Sequence, residues 1–443
     1  MPGEDIPALY GRLEEEVGRS GVTAERPLVR RPGVKGALAY PVKKLLRSLP
    51  SREQRADRPP RSVRARGPRA TVAYYSPMPP ERSGIADYSA LLLPALRRRI
   101  EVDVAARGKQ AHGDVALYHI GNDPESHGWI IKRLRDEPSI VVLHDFVLHH
   151  LVASLTLGRK NERGYLAALE RDAGLPGRLL GLGVIDGCIP PLWEVRPEDF
   201  PLCGEVLDVA TGVIVHSRFV ERRVRERGYD GQVWRIPHPA WTPPAVSPER
   251  PEGNPVFGAF GNVNAAKRVP QLLEAFARFR ESHPTARLLL VGAAGVGAAL
   301  ERRRLGDAVV REGYVDEARL WALLAGVDAV VSLRSPTMGE TSGSTIRALT
   351  LGKPLLVSDV GWFAELSDEV ALKVAPDEAE VERLAEEMAT LADPAVRARM
   401  AASARELVSV EHDVERVADL YAAALREPAV GEDVARELDE VQL

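Results

Sequence analysis

The sequence predicts an α/β protein made of two doubly wound domains in tandem. Short apolar runs alternate with helix-like stretches, as in parallel sheets covered on both faces. The alternation stops at residues 241–255, which hold five prolines, and then starts again. Because such a proline-rich stretch cannot continue a helix or an interior strand, it marks the connection between two domains. A chain of 443 residues is long enough for two or three domains.

Twelve apolar runs are predicted to be strands, six on each side of the proline-rich stretch. They are residues 71–77, 100–106, 115–121, 139–145, 212–217, 233–239, 255–261, 287–293, 309–315, 328–334, 353–359 and 371–376. Ligands of such sheets bind outside the carboxyl ends of the strands. The polar residues that follow the strands are therefore the candidates for a site in the cleft between the domains.

The domain boundaries follow from these patterns. We expect a first domain over 71–240, a linker over 241–254 and a second domain over 255–410. The helix-like stretch at about 411–427 could cross back onto the first domain. Residues 428–443 resemble an acidic tail.

Residues 1–70 form a basic extension that is predicted to be largely flexible. The stretch 26–69 carries fourteen Lys or Arg against two acidic residues, while the whole chain has a net charge of −4. One interpretation is a cationic helix that rests on an anionic membrane surface. The other, favoured because Pro41 interrupts the helix, is a solvated tail.

Composition excludes several classes of protein. A slightly negative chain is not a general nucleic-acid binder. Two cysteines, Cys188 and Cys203, are too few for a disulfide scaffold and suit a reducing cytoplasm. There is neither an apolar run of transmembrane length nor a secretory signal pattern. We therefore expect a cytoplasmic protein, with peripheral contact at the inner membrane face if the basic extension binds lipid.

The segment 332–366 carries the strongest functional pattern. A strand is followed by a polar turn with Glu340, and then by a helix whose first residues are Gly343, Ser344 and Thr345. Free N–H groups and the helix dipole suit this terminus to a phosphate. The Glu340 carboxylate can accept hydrogen bonds from sugar hydroxyls. The alternative is that Glu340 caps the helix and the glycines only form the turn.

This segment resembles the donor site of the retaining glycosyltransferases of family 4. The end of their helix, A-x-x-x-G-x-P, is matched by Ala348, Gly352 and Pro354. The resemblance covers residues 71–425 and implies a GT-B fold, in which two Rossmann-like domains face each other across a cleft. It implies that Gly261 and Lys267 hold the donor pyrophosphate.

The resemblance also assigns residues of the first domain. The stretch 75–96, with Gly84, resembles the loop and helix that approach the donor phosphates, and His144 resembles the histidine that contacts the donor sugar. On the acceptor side we expect Ser83, Asp87, His119, Asn122 and Asp145. For most of these a structural role is the alternative; Asp87 could cap its helix. A metal site formed by His144, His149 and His150 is a weaker alternative, because the ligand spacing is not ordered.

Two positions depart from the family pattern. In the family an Arg usually follows the glycine that Gly261 matches, but this chain has Asn262 there. In the helix after Glu340 the family usually has a second Glu that holds the ribose, and Arg347 occupies that position here. Arg268 could replace the missing positive charge, and Arg347 could face the phosphates or the base.

The predicted function is transfer of a sugar from a nucleotide-diphosphate sugar, UDP- or GDP-linked, to a glycan or lipid-linked acceptor. Glu340, His144 and Lys267 are the catalytic candidates. The chain has no Asp-x-Asp motif, so we expect no metal and no other cofactor, with Lys267 and the helix terminus stabilising the leaving diphosphate. Alternatives are a non-catalytic nucleotide-sugar-binding protein, and an epimerase or phosphorylase of the same fold. An oxidoreductase is disfavoured because residues 292–297 have the wrong glycine order.

Overall fold

The structure is a computed structural model that describes residues 71–261, 264–292 and 305–426. The predictions for the basic extension 1–70, for Asn262 and for the tail 428–443 lie outside the described residues.

The first sheet has six parallel strands in the order β2-β1-β3-β4-β5-β6. They are β1 Thr71–Tyr75, β2 Glu101–Val104, β3 Val115–Ile120, β4 Ile140–Leu143, β5 Gly212–Val215 and β6 Gln232–Arg235. Its helices are α1 Gly84–Arg97, α2 Pro124–Asp136, α3 His149–Thr156, α4 Glu162–Ile185, α5 Leu192–Val195, α6 Gly204–Val209 and α7 Arg218–Glu226.

The second sheet also has six parallel strands, in the order β12-β11-β10-β7-β8-β9. They are β7 Val256–Phe260, β8 Arg287–Val291, β9 Val309–Glu312, β10 Ala329–Ser332, β11 Leu355–Ser358 and β12 Ala371–Val374. The described helices are α8 Val269–Ser282, α9 Glu317–Gly326, α10 Gly343–Thr350, α11 Glu380–Ala392, α12 Pro394–Glu411 and α13 Val414–Arg426.

The predicted α/β fold with two doubly wound domains is confirmed. Each central strand is an almost continuous apolar run that is buried on both faces, as β4 and β10 show. The order of strands reverses between β1 and β3 in the first sheet and between β7 and β10 in the second. Such switch points open a crevice at the carboxyl ends of the strands, where ligands bind.

The chain crosses between the two domains twice, and the two crossings are hydrogen-bonded to each other. At the first crossing Ala240 N–H donates to the carbonyl oxygen of His412, 2.7 Å away. At the second, Nδ1 of His412 lies 2.7 Å from the carbonyl oxygen of His238. The linker after Ala240 then follows the second domain, where Glu249 N–H donates to the carbonyl oxygen of Ala322.

The last helix, α13, packs against α1 of the first domain. Its apolar face, which includes Val417, Tyr421 and Leu425, is fully buried. The hydroxyls of Tyr88 on α1 and Tyr421 on α13 are 2.7 Å apart inside this interface. The carboxyl end of the described chain is therefore part of the core of the first domain.

None of the helices in the described ranges combines the length and the apolar character needed to span a bilayer.

Replacing Tyr421 with Ala should destabilise the first domain by about 3–5 kcal/mol, because it removes a fully buried aromatic ring and leaves the Tyr88 hydroxyl without its partner. The measurement is the thermal or urea unfolding midpoint. The adjacent Leu420, which is 37% exposed, supplies the control: Leu420→Ala should change stability by less than about 0.5 kcal/mol. Equal effects of the two substitutions would contradict the packing of α13.

Candidate active site

Lys267 lies at the switch point of the second sheet, just after β7. Its Nζ donates a hydrogen bond to the carbonyl oxygen of Phe260 at 2.8 Å. A Cβ on Gly261, whose φ is +102°, would come within 2.5 Å of this nitrogen, so glycine leaves the space that the lysine head group occupies. Burial, reinforced by the charge of Arg334, lowers the pKa of Lys267 to about 7, whereas Glu340 acts to raise it. Burial and Arg334 together outweigh Glu340, so the charged form of Lys267 is destabilised in this position.

Glu340 lies on the loop that follows β10, at the other side of the same switch point. Its carboxylate accepts hydrogen bonds from Arg334 Nε at 2.6 Å and from Met338 N–H at 2.9 Å. The Thr337 hydroxyl donates a third at 3.2 Å. The Glu340 side chain keeps 21% of its surface exposed, so the ion pair is held rigidly while part of the carboxylate stays accessible.

The N-terminus of α10 is capped by Ser342 and not by Glu340. The Ser342 hydroxyl accepts a hydrogen bond from Thr345 N–H, which removes the alternative in which Glu340 serves as the helix cap. Thr345, predicted to bind donor phosphate, is buried and its hydroxyl donates to Ser332 at 3.1 Å. Gly343 and Ser344 are the residues of the first turn that remain partly exposed.

Arg347 and Arg268, both predicted to bind the donor, are engaged by protein carboxylates. The buried Arg347 guanidinium stacks 3.6 Å from the ring centroid of Trp241 and donates to Glu317 at 3.0 Å. It also reaches Asp87 of the first domain at 3.4 Å. Asp87 is thus paired across the domain boundary, and the helix α1 is capped by Ser83.

The Nε atom of Arg268 lies 2.7 Å from one carboxylate oxygen of the buried Glu380 and 2.8 Å from the other. Both arginines are therefore paired with protein carboxylates, as Arg334 is with Glu340. The hydrogen bond of Lys267 goes to a backbone carbonyl oxygen instead.

Four histidines at the carboxyl ends of four adjacent strands of the first sheet, one within β3 and three after β4, β5 and β6, surround the ring of Tyr88. They are His119, His144, His216 and His238, with ring centroids 4.8–5.8 Å from that of Tyr88. His119 Nδ1 and His144 Nε2 are 2.9 Å apart. Burial lowers the pKa of each ring. All four are therefore neutral near pH 7, and His144 is held in place by its neighbour.

Asp145 and Asn122 are also brought together, at the carboxyl ends of β4 and β3. Asn122 N–H donates to Asp145 Oδ2 at 2.7 Å, and the Asn122 side chain accepts from Leu151 N–H at 3.0 Å. Burial, together with the nearby Glu340 carboxylate, raises the pKa of Asp145 to about 7. Gly84 opens α1, and nothing lies within 4 Å of the place a side chain would start.

The loop that carries Glu340 docks directly on the first domain. The Met338 carbonyl oxygen accepts hydrogen bonds from Phe146 N–H at 2.8 Å and Val147 N–H at 3.0 Å. Further along the interface, Glu365 accepts from the first backbone N–H groups of α7, at Arg218 and Phe219. The first two bonds place the residues that follow His144 and Asp145 against the loop of Glu340, so the two domains build one site.

Three participants were missed by the sequence reasoning. Arg334 lies just after β10, and a charged residue at the carboxyl end of a strand could have been predicted to belong to the site. Glu198 accepts a hydrogen bond from Thr337 N–H at 3.0 Å, and Glu365 caps a helix of the other domain. Neither carries a local signal, because both roles exist only once the domains meet.

In the described part of the chain, no three His, Cys, Asp or Glu side chains are grouped so that they could hold a metal ion. His149, one member of the alternative metal site, has both ring nitrogens engaged. Nδ1 lies 2.6 Å from the Phe200 carbonyl oxygen and Nε2 lies 2.9 Å from the Tyr165 hydroxyl.

Two switch-point crevices that face each other define the class of the fold, and comparison with known proteins identifies it as GT-B. A sucrose-phosphate synthase from Thermosynechococcus elongatus superposes with a TM-score of 0.55 at 18% identity, covering 81% of this chain and 98% of the other. The HepE protein of Anabaena in complex with UDP-glucose superposes with a TM-score of 0.54 at 16% identity, covering 80% and 99%. At these identities the likeness concerns the fold.

Residues 254–393, which contain the whole second sheet, match the family model described as glycosyl transferases group 1. The protein is therefore a glycosyltransferase whose second domain is of the group 1 type. No curated protein sequence matches the chain significantly.

Stability should fall as the pH drops from about 6.5 to about 4. Burial lowers the pKa values of His127, His149 and His216 to about 4, whereas an unfolded histidine titrates near 6.5. In this window the unfolded chain binds more protons than the folded one. Each histidine therefore lowers the free energy of unfolding by up to about 1.4 kcal/mol for each unit by which the pH falls. Urea midpoints between pH 7.5 and 5 measure the slope.

His127→Gln should make this slope shallower, whereas the same change at the exposed His150 should leave it as it is. A slope that is unaffected by His127→Gln would show that other groups control the acid sensitivity.

Proposed function

We propose that the protein transfers a sugar from a nucleotide-diphosphate sugar to an acceptor hydroxyl, as a retaining enzyme of the family 4 type. The observation that carries this proposal is the small cavity lined by Gly261, Lys267, Ser332 and Arg334. It lies at the switch point of the group 1 domain, at the carboxyl ends of β7, β8 and β10. The UDP-glucose complex of the similarly folded Anabaena protein supports a donor of this chemical class.

The donor diphosphate is assigned to Lys267, Arg334 and the first turn of α10. A leaving nucleoside diphosphate develops negative charge, and preorganised cations and N–H groups stabilise that charge. Lys267 suits this role because, among the described residues, no carboxylate forms an ion pair with its ammonium, whose hydrogen bond goes to the carbonyl oxygen of Phe260. Gly343 and Ser344 offer N–H groups of the first turn.

The donor sugar is assigned to Glu340 from one domain and His144 from the other. The Glu340 carboxylate is kept in place by Arg334 and by backbone, so it presents acceptor oxygens to sugar hydroxyls at low entropic cost. His144, neutral and fixed by His119, faces a cleft that closes around the sugar. No free nucleophilic side chain accompanies this pair in the described residues, in agreement with attack on the face from which the diphosphate leaves.

The acceptor is assigned to the first domain, beside Asp145 and Asn122. An acceptor with many hydroxyls, a glycan or a lipid-linked sugar, suits these polar groups. We also propose that no metal ion takes part, since Lys267 supplies positive charge where a divalent ion would otherwise act.

Affinity for a nucleoside diphosphate should fall as the pH rises above about 7. A bound phosphate raises the pKa of Lys267 from about 7, because an opposite charge favours the ammonium. The complex then holds one proton more than the free protein, so affinity falls by up to about tenfold per pH unit. Calorimetry with UDP, GDP, ADP and CDP at pH 7 and 8.5 measures this change in affinity. Carrying it out in excess EDTA also shows whether binding needs a metal.

Lys267→Ala should remove this pH dependence and lower turnover by about 100-fold. Lys353→Ala is the matched control, because Lys353 is also a lysine whose Nζ donates to backbone carbonyl oxygens, at Ala325 and Val327. It should cost stability while leaving the pH dependence of binding intact. The same loss of binding in both variants would place Lys267 in the fold and not in the donor site.

Glu340→Gln should lower kcat/KM by about 10- to 150-fold, because hydrogen bonds to a charged group contribute about 1.5–3 kcal/mol. The sugar donor is first chosen from a panel of UDP-, GDP-, ADP- and CDP-sugars by the rise in melting temperature on binding. Free nucleoside diphosphate lacks the sugar, so its affinity should barely change. If that affinity falls as much as catalysis does, Glu340 is not a sugar ligand.

A further inference from the structure

Glu198 of the first domain reaches the loop 334–342, which carries Glu340. Its Oε1 accepts a hydrogen bond from Thr337 N–H at 3.0 Å. Glu198 is itself held by Arg223, whose Nη2 donates to the Glu198 carbonyl oxygen at 2.9 Å. A carboxylate anchored in one domain therefore fixes a backbone amide of the other.

Thr337 passes this contact on to Glu340. Its hydroxyl donates to Glu340 Oε2 at 3.2 Å and accepts from Gly339 N–H at 3.0 Å. The next amide, Met338 N–H, donates to the same oxygen of Glu340 at 2.9 Å. Fixing the Thr337 backbone thus fixes both donors that hold one oxygen of the sugar-binding carboxylate.

The position of Glu198 is electrostatically unfavourable, and that cost points to a role. Its pKa is raised by burial and also by the neighbouring carboxylates Asp199 and Glu340, against the lowering effects of Thr337 N–H and Arg223. Glu198 thus brings a further carboxylate close to Glu340, at an electrostatic cost that packing alone does not require. The hydrogen bond to Thr337 is the contact that compensates for it.

We propose that Glu198 is a positioning residue, which acts through Thr337 to orient Glu340 when the two domains are together. The inference rests on the proposed function, in which Glu340 binds the donor sugar. Domain closure and the shape of the sugar site are then coupled through the hydrogen bond to Thr337, which adds to the contacts of the Met338 carbonyl oxygen with the first domain.

Glu365 provides a matched control. It is also a carboxylate that crosses the domain boundary to backbone N–H groups, at Arg218 and Phe219, and its hydrogen bonds do not involve loop 334–342. Glu365→Ala weakens the interface without removing the bond to Thr337. Glu198→Gln keeps a side-chain oxygen that can accept the same bond, whereas Glu198→Ala does not.

Amide hydrogen exchange of the full-length protein tests the positioning directly and needs no substrate. Glu198→Ala should speed exchange at Thr337 by about tenfold or more, and Glu198→Gln should stay within about threefold of the unsubstituted protein. Glu365→Ala should speed exchange at Arg218 and Phe219 but not at Thr337. Fast exchange at Thr337 in all three variants would overturn the proposal. It would mean that the domain interface in general orders the loop, and not the hydrogen bond from Glu198.

Kinetics with the donor sugar chosen from the panel provide the second readout. Glu198→Ala should lower kcat by about tenfold while the Kd of free nucleoside diphosphate stays within about twofold, and Glu198→Gln should restore kcat. An equal loss of nucleoside diphosphate affinity, or no rescue by Gln, would refute the positioning role. Absence of turnover in the unsubstituted protein would refute the proposed function, while the exchange experiment would still decide on the loop.

Discussion

The ion pair between Arg334 and Glu340 is the interaction on which the candidate site depends. The Glu340 carboxylate is only partly exposed, and the Arg334 guanidinium pairs with it at 2.6 Å. Arg334 is itself fixed at the end of β10, where its N–H donates to the Ser358 hydroxyl at 2.9 Å. The position of Glu340 is therefore set, through Arg334, by the neighbouring strands β10 and β11.

This pair also sets the electrostatics of its neighbours. Burial is the main cause that brings the pKa values of Lys267 and Asp145 to about 7, and Arg334 reinforces the shift of Lys267 as Glu340 reinforces that of Asp145. One group of each sign is thus close to its titration point on opposite sides of the cleft. A ligand that brings negative charge to Lys267 and hydroxyls to Asp145 would satisfy both at once.

Much of the fold could be predicted from the sequence, because it depends on local pattern. Each of the twelve apolar runs overlaps one observed strand, and the central strands are apolar because they are buried on both faces. The sequence analysis left open that the last helix could cross back onto the first domain, and in the structure the apolar face of α13 packs there. The order of strands did not follow from the pattern itself.

The site was predictable only as far as each residue followed a strand. Lys267, Glu340, His144 and Asp145 all do, and the structure brings them to the two switch points. The partners of Arg268, Arg347 and Thr345 could not be read from the sequence, because Glu380, Glu317 and Ser332 are distant in the chain or on other elements. The charge of the two arginines and the position of all three residues in the motif indicated that they bind the donor. In the folded protein their side chains contact other protein side chains instead.

The two hydrogen-bonded crossings near Ala240 and His412 have a mechanical consequence. A single flexible connection would let the second domain swivel and tilt in any direction relative to the first. Two chain segments side by side, tied by bonds of 2.7 Å, have to turn together about one common axis. The two crossings therefore restrict how the domains can move relative to each other more than one connection would.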